Sequence, residues 1–352
     1  MTVNVALFGY GLAGANFHAP LVAVEPRLRI ARVVTSRNDE VAQAFPDASV
    51  STDADSVLAA DDIELVVIAT PNKTHAQLAR DALLAGKHVV IDKPFVPESA
   101  EGDALIALAK ERGRMLTVFH NRRWDADFLT VAKLVREDRL GEINHAELRW
   151  DRFRLGIREG WKELPDEGTG LLADLGPHLI DQALLLFGPP DTITGDVASQ
   201  RVGTLVDDYF ELTLHYGAKR VILSASTLIP EARPRFALHG NEGSFIKYGI
   251  DPQEDWMRAG KRPADAGYGI EAAAAYGVLT GADGHHQSVA SERGDWPIFY
   301  RKVADAIVDG APPPVDPADA VSGLQIIESA RRSARDGRAL RFIPDQPDPA
   351  SA

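Results

Sequence analysis

Two short segments carry residue types suited to acid–base chemistry on a substrate oxygen. The first is Asp92-Lys93-Pro94, which follows the apolar run His88-Val89-Val90-Ile91. If that run is a parallel strand, the lysine sits at its C-terminal end, the edge where open α/β sheets bind ligands. A fixed cation there can hold a substrate oxygen and stabilise alkoxide charge as it develops. Taken alone, a lysine in a turn is more often a solvated surface residue. The second segment is Asp174-Leu175-Gly176-Pro177-His178, a carboxylate and an imidazole four residues apart. On a helix this spacing shares one face, and histidine is the natural proton carrier near neutral pH. The same pair can equally be a helix cap and a hydrogen-bonded core histidine. Pro177 leaves two alternatives. It is the first helical residue, with Asp174 just ahead of the helix, or it kinks a helix that began earlier. Weaker candidates are His120-Asn121-Arg122-Arg123-Trp124, and Arg152, Trp161 and Lys162 in a polar loop able to close over a pocket. Adjacent arginines are usually solvated or ion-paired, and that is the reading for Arg123.

The elements that must position these groups begin with a glycine motif. Val3–Phe8 is a short apolar run of the buried-strand type. Gly9-Tyr10-Gly11-Leu12-Ala13-Gly14 follows it and fits G-x-G-x-x-G. In this pattern the first glycine permits a tight turn, the second lets the backbone approach a pyrophosphate, and the third allows close helix–strand packing. The pyrophosphate would lie at the helix N-terminus, where free N–H groups favour anions. The motif alone is weak, but it follows a strand and opens a strand–helix series. The second strand, Leu28–Val34, ends in Thr35-Ser36-Arg37-Asn38, with no carboxylate at its tip. NAD sites usually place Asp or Glu there for the ribose hydroxyls. Arg37 can instead pair with a 2′-phosphate and Ser36 can donate a hydrogen bond to it, so the expected cofactor is NADP(H).

Strand–helix alternation continues through Glu64–Ala69, Thr74–Ala85, His88–Ile91, Ala100–Arg112 and Met115–Phe119, which predicts a doubly wound parallel sheet of the Rossmann kind. After His120 the pattern changes. Helices are predicted at Phe128–Glu137 and within Asp174–Leu186, with strand-like runs at Ile143–Arg152, Thr192–Ala198, Asp208–Tyr216, Arg220–Ser226, Arg235–His239 and Ser244–Lys247. Successive strands with few helices suggest a largely antiparallel sheet. Glu254–Arg293 reads as loop plus short helices, and Trp296–Asp309 and Pro317–Arg335 as helices. The expected fold class is therefore α/β in two domains. Residues 1–121 form the cofactor-binding domain. Residues 122–343 form a substrate and oligomerisation domain with a large, open, mainly antiparallel sheet, its C-terminal helix packing back on the first domain.

Composition narrows the function classes. The 352 residues include 38 basic and 51 acidic side chains, a formal net charge of −13. Such a field repels phosphates in bulk, which argues against nucleic-acid and anionic-membrane partners. There is no cysteine, so thiolate nucleophiles, zinc–thiolate sites and iron–sulfur clusters are excluded, and no metal site is expected. No apolar run approaches the roughly 20 residues that span a bilayer. No secretory leader is seen, which makes a cytoplasmic location the default.

The chain resembles the Gfo/Idh/MocA family, the relatives of glucose–fructose oxidoreductase and inositol dehydrogenase, over nearly its whole length. The resemblance is carried by GYGLAG, ATPNKTHAQLARDALLAGKHVVIDKPF at 69–95, HNRRW at 120–124 and LLADLGPHLIDQALLLFG at 171–188. VTSRN at 34–38, HNRRWDADFLT at 120–130 and SFIKYGIDPQED at 244–255 look especially like the NADP-dependent scyllo-inositol dehydrogenase subgroup. The resemblance implies hydride transfer between a nicotinamide and a secondary hydroxyl or ketone of a cyclic polyol or sugar. It implies catalytic roles for Lys93, Asp174 and His178, with His178 taking the hydroxyl proton, Lys93 stabilising the oxygen and Asp174 orienting His178 or gripping a neighbouring hydroxyl. It implies that the Lys93–Pro94 bond is cis, and that the C-terminal sheet forms a homo-oligomer, a dimer or tetramer. The cofactor site expected from the glycine turn and the matched segments comprises Gly9, Tyr10, Gly11, Leu12, Ala13, Ser36, Arg37, Thr70, Pro71, Asn72, His75, Asp92, Lys93 and Asn121. The substrate site comprises Lys93, Arg122, Trp124, Arg152, Trp161, Asp174 and His178. The departure is Asp92, where the family usually has glutamate. The carboxylate is one methylene shorter. Other readings are another sugar or anhydro-sugar dehydrogenase or reductase, glycoside cleavage through transient oxidation with held NAD, and a non-catalytic NADP-binding sensor. Arg37 argues against the second, and the joint presence of Lys93, Asp174 and His178 against the third.

Overall fold

The computed structural model describes residues 2–157, 159–160, 163–165 and 168–343. Its first sheet is wholly parallel and has six strands: β1 (Val3–Phe8), β2 (Leu28–Val34), β3 (Ser49–Ser51), β4 (Leu65–Ile68), β5 (His88–Ile91) and β6 (Leu116–Val118). Their order is β3-β2-β1-β4-β5-β6. Strand β4 is a continuous buried apolar run, and β1 is one apart from Asn4, because both faces of the sheet are covered. The connecting helices are α1 (Ala19–Ala23), α2 (Asn38–Ala44), α3 (Ala54–Leu58), α4 (His75–Leu84) and α5 (Ser99–Arg112). The strand order reverses between β1 and β4, and the crevice at that switch point is where open α/β sheets hold their ligands.

The helix after the glycine motif is not regular. Gly14–His18 forms a π-helical turn, in which the Ala19 N–H reaches back to the Gly14 carbonyl, before the chain continues as α1. Pro20, at the junction, has no N–H to give to the carbonyl four residues back, so a regular α-helical ladder is interrupted there.

The second sheet is mixed. In chain order it contains β7 (Ile143–Arg149), β8 (Thr192–Ala198), β9 (Tyr209–Tyr216), β10 (Lys219–Ser226), β11 (Phe236–Gly240), β12 (Gly243–Lys247), β13 (Gly277–Gly281), β14 (His286–Val289) and β15 (Leu340–Arg341). These nine strands are ordered β14-β13-β12-β11-β7-β10-β9-β8-β15, and only β7 and β10 pair in parallel. The remaining helices are α6 (Ala126–Arg136), α7 (Leu171–Phe187), α8 (Gln253–Arg258), α9 (Pro297–Val308) and α10 (Pro317–Asp336). Strand β9 alternates, burying Phe210, Leu212 and Leu214 on one face. That face shares a core with Leu172, Leu175, Leu179 and Ile180 of α7 and with Ile326, Ile327 and Ala330 of α10. Helix α10 lies so close to β8 that a Cβ on Gly195 would fall 2.3 Å from the Ala330 carbonyl oxygen.

The chain divides into two compact units. One comprises Met1–Asn121, Pro252–Tyr268 and Asp295–Val321. The other comprises Arg122–Asp251, Gly269–Gly294 and Ser322–Ala352.

One expectation for this half of the chain is corrected. Glu254–Arg293 was expected as loop plus short helices, but besides α8 it contains the β13–β14 hairpin, which extends the sheet to its edge. His286, Gln287 and Ser288 are all exposed, so an edge strand open on both faces shows no hydrophobic period to read. The edge strand β3, Ser49-Val50-Ser51, is too short to show a period. Among the described residues no helix is long and apolar enough to cross a membrane, and no cluster of three His, Cys, Asp or Glu side chains is arranged to hold a metal.

Candidate active site

The glycine turn has the geometry that a pyrophosphate requires. Gly9 has φ +92°, and a Cβ there would lie 2.6 Å from the Ala69 carbonyl oxygen. Gly14 is tighter still. Its Cβ would meet the Gly9 carbonyl oxygen at 2.1 Å, so helix and strand approach only because both residues lack side chains. Gly11 differs. Nothing lies within 4 Å of where its Cβ would be, leaving backbone accessible at the opening of the helix. The three glycines thus play the three parts that a dinucleotide turn needs, and the residues present fit such a cofactor. Leu12 beside them is exposed, Ala13 is half-buried and the Tyr10 side chain is buried.

Neighbouring strand ends complete this edge. Ser36 and Arg37 are exposed just beyond β2, and the Gly9 N–H donates to the carbonyl of Val34 in that strand. Arg37 reaches both Glu40 carboxylate oxygens only at long range, 3.4 and 3.3 Å, and its side chain is about half exposed. After β4, the Thr70 and Thr74 hydroxyls bond each other at 2.6 Å, and the Thr74 hydroxyl donates to the Pro71 carbonyl. Asn72 is buried within this turn. His75 is fully buried. Its Nδ1 faces the Pro94 and Phe95 carbonyls and its Nε2 faces the Thr70 carbonyl, so it ties the ends of β4 and β5 together.

Asp92 and Lys93 follow β5, and the Lys93–Pro94 peptide is cis. The Lys93 N–H donates to Asp92 Oδ1 at 2.8 Å. The same oxygen lies 3.6 Å from Nε2 of His18. Burial pushes the Asp92 carboxyl up. The facing His18, then the charges of Lys93 and His75, more than offset this and hold it below the usual carboxylate range. Nδ1 of His18 is 2.7 Å from the Tyr300 hydroxyl. Asn121, also buried, begins a short 3₁₀ turn at the end of the same series of elements.

In the second unit the candidate polar groups lie along α7. The helix begins at Leu171, so Pro177 is interior and Asp174 is in the first turn, which resolves the alternatives left open by the sequence. Its N-terminus is capped from outside. Asp207 takes the Leu172 N–H on its carboxylate at 2.7 Å and the Leu171 N–H on its carbonyl at 2.8 Å. Asp174, His178, Asp181 and Gln182 make one polar stripe along an otherwise apolar helix. Asp181 accepts a two-pronged bond from Arg123, so the ion-paired reading of Arg123 holds. Gln182 donates to the Arg122 carbonyl at 3.0 Å and accepts from Arg235 at 2.6 Å.

Above these anchors, His178 is 4% exposed and stacks on the Trp150 indole, centroids 5.6 Å apart. Arg122 and Arg235 lie over the same indole at 4.7 and 5.2 Å. Asp125 faces Arg122 at 3.4 Å, and Asp127 faces Arg235 at 3.8 Å. Asp174, partly exposed, has Arg152 3.9 Å from its carboxylate. Trp124 is half-buried at the end of the 3₁₀ turn. Trp161 and Lys162 lie outside the described residues.

Two family models match in tandem. The oxidoreductase family NAD-binding Rossmann fold matches residues 3–120, and the oxidoreductase family C-terminal alpha/beta domain matches residues 132–342. The chain belongs to the Gfo/Idh/MocA oxidoreductase family. It is 41% identical to scyllo-inositol 2-dehydrogenase (NADP(+)) IolW of Bacillus subtilis, over 96% of each chain. It is 40% identical to the oxidoreductase YdgJ of Escherichia coli, over 95% of this chain and 96% of that one. Among solved structures, it superposes on the oxidoreductase yvaA of Bacillus subtilis with a TM-score of 0.95 at 40% identity, covering 97% of this chain and 99% of that one.

Several groups of this Gfo/Idh/MocA chain were not among the sequence candidates: His18, Tyr300, Trp150, Arg235 and Asp207. Each is distant in sequence from the residue it contacts across the site. Only His18 lay close enough to be found, one helical turn beyond Gly14.

Proposed function

We propose that this oxidoreductase uses NADP(H) to interconvert a secondary hydroxyl and a ketone on a cyclic polyol, with scyllo-inositol and its ketone as the best substrate pair. The single observation behind the cofactor choice is the tip of β2, where Arg37 and Ser36 are exposed and Arg37 is held by long bonds to the two Glu40 oxygens. Arginine suits a phosphate dianion because its planar fork can donate two hydrogen bonds at once. The NADP-dependent relative above supports the same choice.

When bound, the nicotinamide accepts or returns the hydride. The glycine turn would hold the pyrophosphate, with the Thr70–Asn72 turn and Asp92 on the nicotinamide side. Lys93 holds the substrate oxygen and offsets the negative charge that grows on it. His178 removes the hydroxyl proton in oxidation and returns it in reduction, worth about a hundred- to ten-thousandfold in rate. Asp174 orients that exchange or grips a second hydroxyl, while Arg152 restrains Asp174. We also propose that the open face of the nine-stranded sheet pairs two or four copies of the chain, which analytical ultracentrifugation would test.

The decisive measurement follows NADPH absorbance with a panel of polyols and sugars including scyllo- and myo-inositol, with both NADP and NAD. Turnover of a ring polyol with NADP preferred supports the reading. Equal or better use of NAD overturns the cofactor choice, and turnover confined to open-chain or glycosidic substrates overturns the substrate class.

A further inference from the structure

We propose that His18, braced by Tyr300, is a positioning residue that orients the Asp92 carboxylate and, through it, Lys93. The inference rests on the role given to Lys93 above.

The argument starts from the π-helical turn. It carries His18 off the regular helical path, and the side chain ends fully buried beneath the strand ends. There the imidazole is wedged among rings, with Phe119 at 4.3 Å and Tyr300 at 6.2 Å between centroids. Phe299 and Tyr300 in turn pack at 5.2 Å. A site so enclosed by aromatic rings would suit a leucine or phenylalanine. Burying an imidazole there is costly unless its polar atoms are used.

Both nitrogens have a direction. Nδ1 lies 2.7 Å from the Tyr300 hydroxyl, and Nε2 points toward Asp92 Oδ1 at 3.6 Å. If the phenol donates to Nδ1, the proton of the neutral ring is on Nε2. If the ring is protonated, Nε2 carries a proton again. The remaining tautomer would set a lone pair against a carboxylate, which is repulsive. Tyr300 remains a phenol, because burial and then the charge of Asp92 push its hydroxyl well above the usual range. An N–H therefore faces the carboxylate oxygen that also accepts the Lys93 backbone N–H at 2.8 Å. Tyr300, His18, Asp92 and Lys93 form a chain of contacts running from the core to the strand end. Asp92 is one methylene shorter than the glutamate usual in the family, so its carboxylate stays near its own backbone. A group reaching up from the helix can then fix it.

The test compares His18→Leu, His18→Gln and Tyr300→Phe with the parent chain. Glutamine can keep an N–H near the position of Nε2, whereas leucine keeps only bulk. The first readout needs no turnover. The rate at which an amine-reactive acylating reagent modifies Lys93 is measured against pH by peptide mass spectrometry. The second is kcat and KM with the best polyol, alongside NADPH affinity by fluorescence.

His18→Leu is expected to change Lys93 labelling severalfold and to lower kcat about ten- to a hundredfold with NADPH affinity nearly unchanged. His18→Gln should recover most of both, and Tyr300→Phe should fall between. Unchanged Lys93 labelling in His18→Leu overturns the proposal, as does equal damage in the leucine and glutamine variants. Should His18→Leu fail to fold, Tyr300→Phe decides, and labelling identical to the parent overturns the proposal. If the parent turns over no polyol, the functional reading fails, while the labelling comparison still judges His18.

Discussion

Trp150 and His178 stack with centroids 5.6 Å apart and planes 30° apart, a contact between the end of β7 and the polar stripe of α7. The indole fixes the imidazole plane, and two buried guanidinium groups, those of Arg122 and Arg235, lie against the same indole. Trp150→Leu is therefore expected to lower kcat about tenfold or more, because a ring free to turn seldom presents its nitrogen correctly. Trp150→Phe should retain more activity than Trp150→Leu. Steady-state kinetics on the two variants, with thermal melts to check folding, would show it, and a leucine variant as active as the parent would contradict it.

Lys93→Met and His178→Asn should each reduce turnover by about a hundred- to ten-thousandfold while NADPH binding stays nearly unchanged. Fluorescence titration of the cofactor beside single-turnover rates makes the comparison. Normal rates in both variants would remove the proposed mechanism.

Arg37→Ala should weaken NADPH binding by about ten- to a hundredfold, the worth of a charge-assisted hydrogen bond. NADH binding should not change, since it has no 2′-phosphate. An equal loss for both cofactors would mean that Arg37 acts on the fold of the β2–α2 loop.

Much of this site was legible before any coordinates. The glycine motif, the strand ending in Asp92 and Lys93, and the Asp174–His178 pair are local signals, because each is written in consecutive or i, i+4 residues. The parallel sheet was equally plain, since β1, β4 and β5 are mostly apolar runs that alternate with helical segments. The supports were not legible. Trp150 lies 28 residues before His178, and Tyr300 lies 282 residues from His18. No periodicity reports a contact across such separations, and an aromatic residue at a strand end reads first as core. The β13–β14 hairpin was hidden for the opposite reason, β14 being too exposed to show a pattern and β13 offering only Val278 and Leu279 between glycines and a threonine.

Asp207 caps α7 across a gap of 35 residues, and Gly170 yields the space it occupies. Gly170 has φ +92°, and a Cβ there would come within 2.3 Å of Asp207 Oδ1. Asp207→Ala should cost about 1–2 kcal/mol, typical of a lost cap, and fray the turn bearing Asp174. Gly170→Ala should destabilise as well, through both the cap and the backbone. Urea unfolding of the two variants tests this, and stability equal to the parent would exclude the cap.

His88 gives a pH signature. Burial, then the charge of Arg114, bring its imidazole down to about 4, and its Nδ1 accepts the Met115 N–H at 2.9 Å. The fold thus prefers the neutral ring, while the unfolded chain takes up a proton near pH 6.5. The contribution is complete above about pH 6.5 and is lost as pH falls toward 4, on the order of 2 kcal/mol after allowing for solvent. Urea midpoints between pH 7 and pH 4 should fall in the parent and stay flatter in His88→Gln.

The wide turn at Gly14–His18 spends an additional residue without lengthening the helix by a full step. The glycine end and the Ala19–Ala23 end are therefore out of phase with each other. Deleting one residue from that turn would restore an even winding and swing the imidazole about 100° around the axis, away from its carboxylate. On the role proposed for His18, a chain with the same glycine spacing but no such insertion would have to seat its strand-end acid by some other means. Grafting a nucleotide-binding loop from such a chain would exchange more than the loop.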